Sequence, residues 1–495
     1  MKRQINNILQ GFKDKNILVL GDFMLDVYLD GQCSRLAPEA GVPVLDVTQQ
    51  TTCLGGAGNV VSNLLKLGSR VNYITILGQD ESARMAITLL REQNINSLHV
   101  HFTELSPTLT KTRLRQDGYC MHRIDVGKKI VVKKETMTAY LADIKKAYFK
   151  SDAVFISDYN KGSITYEVLT LLRSLKEQED KIFAVDCKDY QRYKTLEPTL
   201  IKPNYNEALK IVGEEPEDDR VTQAMRWSEQ LWEYSRAHLT ALSLDKDGVI
   251  FNKGKDVCFH YPVRKVNIIN VAGAGDTLLS ALLLAYLSGA SDYESVKIAT
   301  TAAHISVQKA GTAHCTLSEL RMGLVDPQDK VIKELEDLAC LSDTIREQRK
   351  IVFTNGCFDI FHSGHAQYLR QAKEQGDILV VGLNNDESVR RLKGAHRPVN
   401  RLADRLEVLK QMQCIDYIIP FGNEDNDTPT DVIKALRPHV FVKGKDYENS
   451  TLPESDILQD LGIETQFISY IPHQSTTKII ERVQEKNTVL FKKIG

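Results

Sequence analysis

A run of small residues containing one carboxylate leads directly into an apolar stretch. Gly273, Ala274, Gly275 and Asp276 precede the segment Thr277 to Leu287, which has the composition of a buried helix. Backbone N–H groups at a helix N-terminus bind anions, and larger side chains would block the approach of a phosphoryl group. Asp276 is placed to accept a proton from an attacking hydroxyl, while the helix dipole is expected to lower its pKa. The pattern predicts phosphoryl transfer; an ordinary helix start is the structural alternative.

Further polar and glycine positions in the first half of the chain are suited to binding a sugar, a phosphate or a cation. They are Asp22 and Asp26 after the first predicted strand, Gly55, Gly56 and Asn59 in a glycine-rich loop, and Asn204 and Glu207 in a Pro-Asn-Tyr-Asn-Glu segment. The last two residues lie three apart on one face of a helical turn, which favours a hydrated Mg²⁺ over a caged ion. Each feature taken alone is more often structural than functional.

A second pattern, His-x-Gly-His, joins a predicted strand to a predicted helix. His362 and His365 flank Gly364, shortly after the segment Phe353 to Asp359. Two imidazoles at the head of a helix can bind nucleotide phosphates and stabilise charge that develops at an α-phosphorus. A zinc site that includes Cys357 is one alternative, although no clear fourth ligand lies nearby in the sequence. Capping or buried histidines are the other.

Basic and hydroxyl residues follow later strands of the second half. They are Arg390, Arg391, Lys393 and Arg397 around one glycine, Lys443 and Lys445 around another, and Ser475, Thr476 and Thr477 at the start of the last predicted helix. Charge runs are usually solvated faces. In α/β folds, however, ligands bind where strands end. We therefore expect these residues to bind phosphate groups.

Strands that alternate with amphipathic helices must position all of these residues. The apolar runs typical of buried strands are Asn16 to Leu20, Val71 to Leu77, Ala153 to Ser157, Ile182 to Asp186, Leu239 to Leu244 and Lys350 to Thr354. This alternation predicts the α/β class, with parallel sheets covered by helices. The segment from Thr316 to Lys350 is charged, lacks strand signals and contains a surface helix that starts at Pro327. We predict domains over residues 1–320 and 348–495, joined by a linker over 321–347.

The overall composition excludes several classes of protein. The chain has 495 residues, of which 42% are hydrophobic and 26% charged, as in ordinary globular enzymes. A formal net charge of −2 gives no general attraction to nucleic acid or anionic membranes. Nine cysteines without metal-knuckle spacing indicate a reducing compartment, and the apolar runs are too short for a signal peptide or a membrane span. We expect a cytoplasmic protein that binds neither nucleic acid nor membranes.

The first half resembles the ribokinase-like family of carbohydrate kinases. The resemblance implies that Asp276 is the catalytic base, that the amides of Gly273 to Gly275 bind the phosphoryl group of ATP, and that Glu207, with Asn204, lies in the Mg²⁺ and phosphate region. The positions that it implies for sugar binding are Asp22, Asp26, Gly55, Gly56, Asn59 and Lys188. One departure is that Asn270-Val271-Ala272 stands where the family signature commonly opens with Asp-Thr.

The second half, over residues 348–485, resembles the HxGH nucleotidyltransferases of the cytidylyltransferase-like family, which have a Rossmann-like fold. Its segments are most similar to those of the sugar-phosphate adenylyltransferase branch. The resemblance implies that His362 and His365 are catalytic. The residues implied for nucleotide binding are Thr354, Asn355, Gly356, Phe358, Lys393, Arg397, Lys443, Ser475, Thr476 and Thr477.

The order of the two halves resembles the family of bifunctional heptose 7-phosphate kinases and heptose 1-phosphate adenylyltransferases of Gram-negative bacteria. The resemblance implies phosphorylation at C1 and adenylyl transfer to heptose 1-phosphate, giving ADP-heptose for the lipopolysaccharide core. It also implies ATP and Mg²⁺, no zinc, a homodimer, and a separate phosphatase between the two steps. Two alternatives are a sugar kinase fused to a cytidylyltransferase with another substrate, and a non-enzymatic nucleotide-binding regulator. The intact Asp276, His362 and His365 argue against the second alternative.

Overall fold

Two units make up the protein in the computed structural model, one of Met1–Gly323 and one of Leu324–Gly495. The structure describes residues 2–263, 268–309, 313–324, 330–346, 349–422, 426–448 and 450–469. Strands and helices alternate in both units, so the predicted α/β class is confirmed.

The first unit contains a large sheet, a small sheet and the helices that cover them. Its strands are β1 (Asn16–Gly21), β2 (Phe23–Leu36), β3 (Pro43–Gly56), β4 (Arg70–Gly78), β5 (Ser97–Thr103), β6 (Thr110–Gln116), β7 (Tyr119–Val126), β8 (Ala153–Asp158), β9 (Ile182–Cys187), β10 (Leu200–Ile201), β11 (Leu239–Ser243), β12 (Val249–Lys253) and β13 (Asp256–Tyr261). Its α-helices are α1 (Lys2–Gln10), α2 (Ala57–Lys66), α3 (Glu81–Glu92), α4 (Lys134–Tyr148), α5 (Tyr166–Gln178), α6 (Tyr205–Val212), α7 (Arg220–Met225), α8 (Ser228–Ser235), α9 (Ala274–Leu287), α10 (Asp292–Val307) and α11 (Leu317–Leu324). Short 3₁₀ helices span Gly11–Asp14, Tyr190–Leu196 and Asp245–Asp247.

The large sheet has the order β13-β12-β11-β10-β9-β8-β1-β4-β5. Its strands pair in parallel from β11 to β5, whereas β12 and β13 are antiparallel additions at one edge. Strands β1, β8, β9 and β10 therefore end at the same edge of the sheet. The residues that follow them meet there, which is where open α/β sheets bind ligands.

The small sheet has the order β3-β2-β6-β7. Strand β2 pairs with β6 in parallel, and this register places three acidic or aromatic residues of β2 opposite three cations of β6. The facing pairs are Asp26 with Lys111, Tyr28 with Arg113, and Asp30 with Arg115. Because side chains alternate along a strand, these six residues share one face of the small sheet.

The described residues of the second unit form one parallel sheet with its helices. Its strands are β14 (Ile351–Gly356), β15 (Ile378–Asn384), β16 (Tyr417–Phe421), β17 (Val440–Gly444) and β18 (Glu464–Ile468), in the order β16-β15-β14-β17-β18. Its helices are α12 (Leu335–Ile345), α13 (Ser363–Lys373), α14 (Asp386–Lys393), α15 (Leu402–Lys410), α16 (Thr430–Leu436) and α17 (Ser455–Asp460), with a 3₁₀ turn at Lys445–Tyr447. This is the Rossmann-like order, and its switch point lies between β14 and β17.

Within the predicted linker 321–347, residues 321–324 are the end of α11, whereas residues 330–346 pack against the second unit. Val331 forms a parallel bridge to β16, and Ser342 donates a hydrogen bond from its Oγ to a carbonyl oxygen of α16 at 2.5 Å. Leu338 and Leu341 are fully buried. The apolar residues interspersed among the charges bury against α16 and β16, so this part of the chain folds with the second unit.

The surface helix expected from Pro327 also differs in position. Pro327 lies outside the described residues, and the helix begins at Leu335 after an extended stretch that contains the buried Val331 and Ile332. In the part of the chain that the structure describes, no helix is both long and apolar enough to cross a membrane.

Candidate active sites

The glycine-rich segment and helix α9 form one wall of a pocket in the first unit. Gly273 precedes the helix with a φ of 82°, a left-handed conformation that glycine adopts without strain. A Cβ on Gly275 would lie 2.8 Å from Nζ of Lys202, so a side chain there would displace the lysine. Ala274 donates its N–H to the carbonyl oxygen of Val271 at 3.3 Å, whereas the next amides belong to the first turn and have no helical acceptor. These amides and the Lys202 ammonium therefore give this wall hydrogen-bond donors and one positive charge.

Asp276 has a pKa raised to about 7, chiefly because burial disfavours its charged form and secondly because Asp186 is nearby. A hydrogen bond from Asn59 and the charge of Lys202 act in the opposite direction. The expectation that the helix dipole lowers this pKa is therefore wrong, since desolvation outweighs the dipole. A pKa near the working pH suits a general base better than the usual value of a carboxylate.

Asn59 touches the predicted base directly. It is 2% exposed, and its Nδ2 donates to Oδ2 of Asp276 at 2.6 Å. Its Oδ1 lies 2.9 Å from Nε2 of His314. Both ends of the amide are thus engaged by the protein, so Asn59 orients the carboxylate rather than presenting an open amide to a sugar.

The pocket beside Asp276 has a cavity volume of about 160 Å³ and a strongly charged lining. Lys202 is 5% exposed and lies 3.5 Å from the carboxylate of Asp186. Burial alone would lower the pKa of Lys202, but Asp186, Glu207 and Asp276 together raise it. The ammonium therefore stays charged where it lines the pocket beside Gly275.

Asn204 and Glu207, the residues expected near Mg²⁺, form a capping box at the start of α6. Oδ1 of Asn204 accepts from the amide of Glu207 at 2.9 Å, and Oε2 of Glu207 accepts from the amide of Asn204 at 3.1 Å. Oε1 of Glu207 accepts from Nζ of Lys188 at 2.7 Å. Lys188 thus lines the pocket beside Glu207 rather than the glycine-rich loop expected to bind sugar.

Asp26, Gly55 and Gly56 lie together at the base of the small sheet. A Cβ on Gly55 would lie 2.4 Å from Oδ2 of Asp26, so only glycine leaves room for this carboxylate. Gly56 has a φ of 57°, and a Cβ there would lie 2.3 Å from the carbonyl oxygen of Asp22. Oδ1 of Asp26 accepts from Arg113 at 2.7 Å. The two glycines, expected to let backbone approach a sugar, thus leave room here for the Asp26 carboxylate and the Asp22 carbonyl group.

Asp22 is placed differently from the expected sugar ligand. It is fully buried, and its two oxygens accept from the backbone amides of Tyr159 at 2.9 Å, Lys161 at 2.8 Å and Ser163 at 3.0 Å. Burial, together with the nearby Asp158, raises the pKa of Asp22. Asp22 therefore fixes the loop that follows β8 and presents Tyr159 to the pocket.

The two histidines of the second unit are stacked on each other. Their ring centroids are 3.9 Å apart at an interplanar angle of 21°, with His362 preceding α13 and His365 in its first turn. Neither Nδ1 atom, although buried, has a hydrogen-bond partner among the described residues. Burial lowers the pKa of His362, and burial followed by His362 lowers the pKa of His365 to about 4. Both rings are neutral at pH 7 and each retains one N–H to donate.

The predicted nucleotide-binding residues of β14 and of the loop after it differ in what their side chains contact. Thr354 is fully buried, and its Oγ1 pairs with Tyr368 at 2.7 Å and with a carbonyl of β17 at 2.9 Å, so it joins strands rather than contacting a nucleotide. Oδ1 of Asn355 is buried without a hydrogen-bond partner in the described chain. Phe358 is 6% exposed and packs edge-on against His365, with centroids 5.2 Å apart. Phe358 therefore supports the His365 ring from the core side.

Two of the predicted cations, Lys393 and Arg397, lie near Cys357 together with Arg405. Burial raises the pKa of the Cys357 thiol, while the charges of Lys393, Arg405 and Arg397 oppose that rise. Arg397 lies 3.1 Å from the carboxylate of Asp359. Ser475, Thr476 and Thr477 lie outside the described residues.

Lys443 is half-buried, whereas its neighbours Val442 and Gly444 are buried. Its Nζ lies 3.4 Å from Glu454, and burial lowers its pKa. It also lies 5.4 Å from the ring centroid of Tyr447. Lys443 lies at the end of β17, which is one of the two strands at the switch point of the sheet.

Comparison with known proteins decides the family. Residues 14–319 match the pfkB family carbohydrate kinases, and residues 353–482 match the cytidylyltransferase-like family. The chain is 35% identical over 485 residues to the bifunctional protein HldE of Sulfurimonas denitrificans, covering 96% of this chain and 98% of that protein. It is also 35% identical over 474 residues to the bifunctional protein HldE of Helicobacter pylori, covering 95% and 99%. The chain belongs to the bifunctional HldE family.

As a member of the HldE family, with a carbohydrate kinase unit and a nucleotidyltransferase unit, the protein is a bifunctional transferase. Solved structures agree with the fold of the kinase unit. Phosphofructokinase-2 of Escherichia coli is 16% identical with a TM-score of 0.51, covering 62% of this chain and 97% of that one. Ribokinase of Arabidopsis thaliana is 17% identical with a TM-score of 0.50, covering 63% and 99%. The predicted ribokinase-like fold is confirmed.

No sequence motif identifies several residues that the structure places near these sites. Lys202 and His314 approach the glycine-rich segment and Asn59 from distant parts of the chain, and Lys111 approaches Tyr159, with its Nζ 5.5 Å from the ring centroid. For Lys111 the sequence offers one signal. Cations alternate in Lys-Thr-Arg-Leu-Arg, residues 111–115, which is typical of a strand with one charged face.

Arg405, near the histidines of the second unit, is another residue that no sequence motif identifies. It is 2% exposed and donates to the carbonyl oxygens of Cys357 at 2.6 Å and Asn384 at 2.9 Å. Its other terminal nitrogen donates to Asp386 at 2.7 Å. A charged side chain this deeply buried must satisfy its donors internally, and doing so fixes the loop that leads to the histidines.

Proposed function

We propose that this HldE family protein phosphorylates C1 of D-glycero-β-D-manno-heptose 7-phosphate and, after the 7-phosphate has been removed, forms ADP-heptose for the lipopolysaccharide core. The kinase unit performs the first step and the nucleotidyltransferase unit the last. The observation that carries the proposal is the presence, in one chain of this family, of a pocket carboxylate with a pKa near 7 and a neutral His-x-Gly-His pair.

In the first reaction, the C1 hydroxyl oxygen attacks the γ-phosphorus of ATP while Asp276 accepts the hydroxyl proton. The new bond joins C1 oxygen to phosphorus, the bond to the β,γ-bridging oxygen breaks, and ADP leaves. Amides of the first turn of α9 and the ammonium of Lys202 face the phosphoryl oxygens and stabilise their charge. Positioning and charge stabilisation contribute most of the catalysis in such a loose transition state.

The phosphate already present on the sugar is proposed to bind at the small sheet. Lys111 is partly buried and has no carboxylate within ion-pair distance among the described residues, whereas Arg113 and Arg115 on the same face are paired with Asp26 and Asp30 at 2.7 Å. Burial lowers the pKa of Lys111, with Asp26 opposing that effect. An unpaired, partly desolvated ammonium beside the sugar position favours a phosphorylated sugar over a neutral one.

Mg²⁺ is proposed to accompany ATP in the kinase pocket. In the described parts of the chain, no three His, Cys, Asp or Glu residues are arranged as a metal cage. Asp186 and Glu207 both line the pocket, and both oxygens of Glu207 already accept hydrogen bonds, which suits an ion held through water molecules. Bound there, Mg²⁺ would neutralise charge on the β- and γ-phosphates.

In the second reaction, the anomeric phosphate of heptose 1-phosphate attacks the α-phosphorus of ATP and pyrophosphate leaves. Neutral His362 and His365 donate N–H groups to the α-phosphate and to the departing pyrophosphate. Lys393, at the end of α14, and Arg397, in the loop after it, contribute positive charge. Zinc has no part in this proposal, which uses the imidazoles as hydrogen-bond donors.

The proposal includes a homodimer formed through the small sheet, and a cytoplasmic location. All eight residues of β7 are exposed, including Tyr119 at 81% and Ile124 at 52%, so apolar surface is available for a second copy. The eight described cysteines are free thiols, as expected of a reducing compartment. Small molecules are the proposed substrates, and a separate phosphatase acts between the two steps. Light scattering of Ile124→Glu against the unmodified protein tests the dimer.

The decisive experiment supplies the full-length protein with ATP, Mg²⁺ and heptose 7-phosphate, with and without an added sugar phosphatase. We expect heptose 1,7-bisphosphate without the phosphatase and ADP-heptose with it, identified by mass spectrometry. A parallel reaction with CTP in the second step tests the alternative of a cytidylyltransferase. Preferential CDP-sugar formation, or phosphorylation of other sugars in preference to the heptose, would contradict the proposal.

A further inference from the structure

His314 reaches the kinase site although it lies beyond the recognised motifs of that site. Its ring is largely buried, and Nε2 lies 2.9 Å from Oδ1 of Asn59, which sits on α2 more than two hundred residues earlier in the chain. The segment that carries it is anchored, because Nζ of Lys309 donates to the His314 carbonyl at 2.8 Å and also pairs with Glu319 at 2.6 Å. The position of the imidazole is therefore set by the fold.

The direction of each hydrogen bond follows from the chemistry of Asp276. An ionised carboxylate only accepts, so the Asn59 group that faces it at 2.6 Å is the Nδ2 amide. Oδ1 of Asn59 then faces His314 and accepts, so the ring donates from Nε2. Burial, followed by Lys66 and Lys309, lowers the pKa of His314 to about 4, so the ring is neutral and has one N–H for this bond.

We propose that His314 is a positioning residue of the kinase reaction, which holds the Asn59 amide in the orientation that donates to Asp276. Without the imidazole N–H, the Asn59 side chain is free to rotate about its last torsion and to present its oxygen to the carboxylate. The chain His314 to Asn59 to Asp276 thereby holds Oδ2 of the base and leaves Oδ1 for the proton of the attacking hydroxyl.

The charges around Asp276 determine in which direction its pKa should shift when His314 is replaced. Asp276 faces Asp186 and Asp26, which raise its pKa, and Asn59 and Lys202, which lower it. The pKa of Tyr159 is well above its ordinary value, so this neighbour stays uncharged at pH 7. Weakening the Asn59 contact removes one of the two lowering influences, so the pKa of Asp276 rises and the acid limb of the kinase pH profile moves to higher pH.

The test compares His314→Ala, which has no side-chain donor, with His314→Gln, whose amide can donate, in the full-length protein. We expect His314→Ala to lower kcat of phosphoryl transfer roughly five- to thirty-fold with little change in KM, the size of one or two lost hydrogen bonds. His314→Gln should retain most of the rate. His304→Gln, a partly buried histidine of α10, is the matched control and should behave as the unmodified protein.

A second readout does not depend on the sugar. Infrared titration of the Asp276 carboxyl band, assigned with Asp276→Asn, should give a higher pKa in His314→Ala than in the unmodified protein. The inference rests on the kinase unit and not on the identity of the sugar, so inactivity toward heptose 7-phosphate would count against the proposed function while this titration still tests His314. An unchanged Asp276 pKa in a folded His314→Ala, or equal losses of kcat in the Ala and Gln variants without a shift in the pH profile, would overturn the proposal.

Discussion

Thr277 donates from Oγ1 to Oδ1 of Asn63 at 2.7 Å, one helical turn along α2 from the contact between Asn59 and Asp276. Two consecutive residues of α9 are thus tied to two residues of α2 that are four apart. The pairing fixes the rotation of α9 as well as its distance from α2. Asp276 is consequently oriented by the protein itself, before any substrate binds.

We predict that Asp276→Asn lowers phosphoryl transfer at least about 10²-fold, because it removes the positioned general base. The substitution keeps the shape of the side chain, and Asn59 can still donate to its oxygen. Adenylyl transfer from ATP to heptose 1-phosphate should be unchanged, since that site belongs to the second unit. A kinase rate close to that of the unmodified protein would remove Asp276 from the mechanism, and loss of both activities would indicate unfolding.

The same substitution should stabilise the kinase unit at neutral and alkaline pH. The pKa of Asp276 rises from 3.8 to about 7 on folding, so its contribution to stability is fully present below pH 3.8 and is lost as pH rises through about 7. The amide that replaces the carboxyl group in the variant does not titrate. We therefore expect the melting temperature of Asp276→Asn, relative to the unmodified protein, to increase between about pH 4 and about pH 7 and to level off above. A relative melting temperature that falls with pH would contradict the buried position of this carboxylate.

Lys111→Gln is predicted to weaken binding of the phosphorylated sugar. Loss of one charged contact to a phosphate should raise KM for the sugar phosphate about tenfold or more while kcat changes little. Lys111→Arg keeps the charge and should restore most of the binding, and Lys128→Gln, at an exposed lysine of the same region, serves as the control. Equal KM values for Lys111→Gln and the unmodified protein would place the sugar phosphate elsewhere.

His365→Ala is predicted to lower adenylyl transfer by roughly 10²- to 10³-fold, about 3 to 4 kcal/mol of transition-state stabilisation. The neutral ring donates to oxygens that gain charge only in the transition state, so KM should change less than kcat. Turnover, melting temperature and metal content are measured on one preparation. A folded variant with an unchanged rate would contradict the assignment, and stoichiometric zinc lost on substitution would favour the metal alternative.

The boundary between the units predicts which fragments fold. A fragment that starts at Leu324 retains Leu338, Leu341 and the Ser342 contact to α16 and should keep adenylyl transfer. A fragment that starts at 346 lacks them and should be destabilised by about 4 kcal/mol or more, because large apolar side chains leave a cavity. Chemical denaturation of both fragments measures the difference. Equal stability would show that α12 contributes nothing to the second unit.

Local patterns predicted much of both sites. The glycines around Asp276 and the histidines around Gly364 are recognisable because a helix N-terminus that binds phosphate constrains consecutive residues. The parallel sheets, and the sheet edge at which ligands are expected, follow from the alternation of strands and helices. Each of these inferences needed only residues that lie near each other in the sequence.

The partners of individual side chains were not predictable in this way. Asp22, Asn59 and Thr354 have residue types suited to ligands, yet their oxygens or amides are used by Tyr159, Asp276 and β17, far along the chain. The direction of the Asp276 pKa shift was wrong for the same reason, since burial depends on the packing around it. Only the three-dimensional structure separates a polar residue that binds a ligand from one that holds the backbone.

The pairing of β2 with β6 limits how this protein can change in length. Because the cations of β6 lie at alternate positions, one inserted residue before Lys111 would turn all three to the opposite face of the small sheet and break their register with Asp26 and its neighbours. Insertions are tolerated instead at the turn of Asp117 and Gly118, where both residues already have positive φ and the strand has ended. Natural or engineered variants of this enzyme should accordingly differ in hairpin length while conserving the spacing within β6.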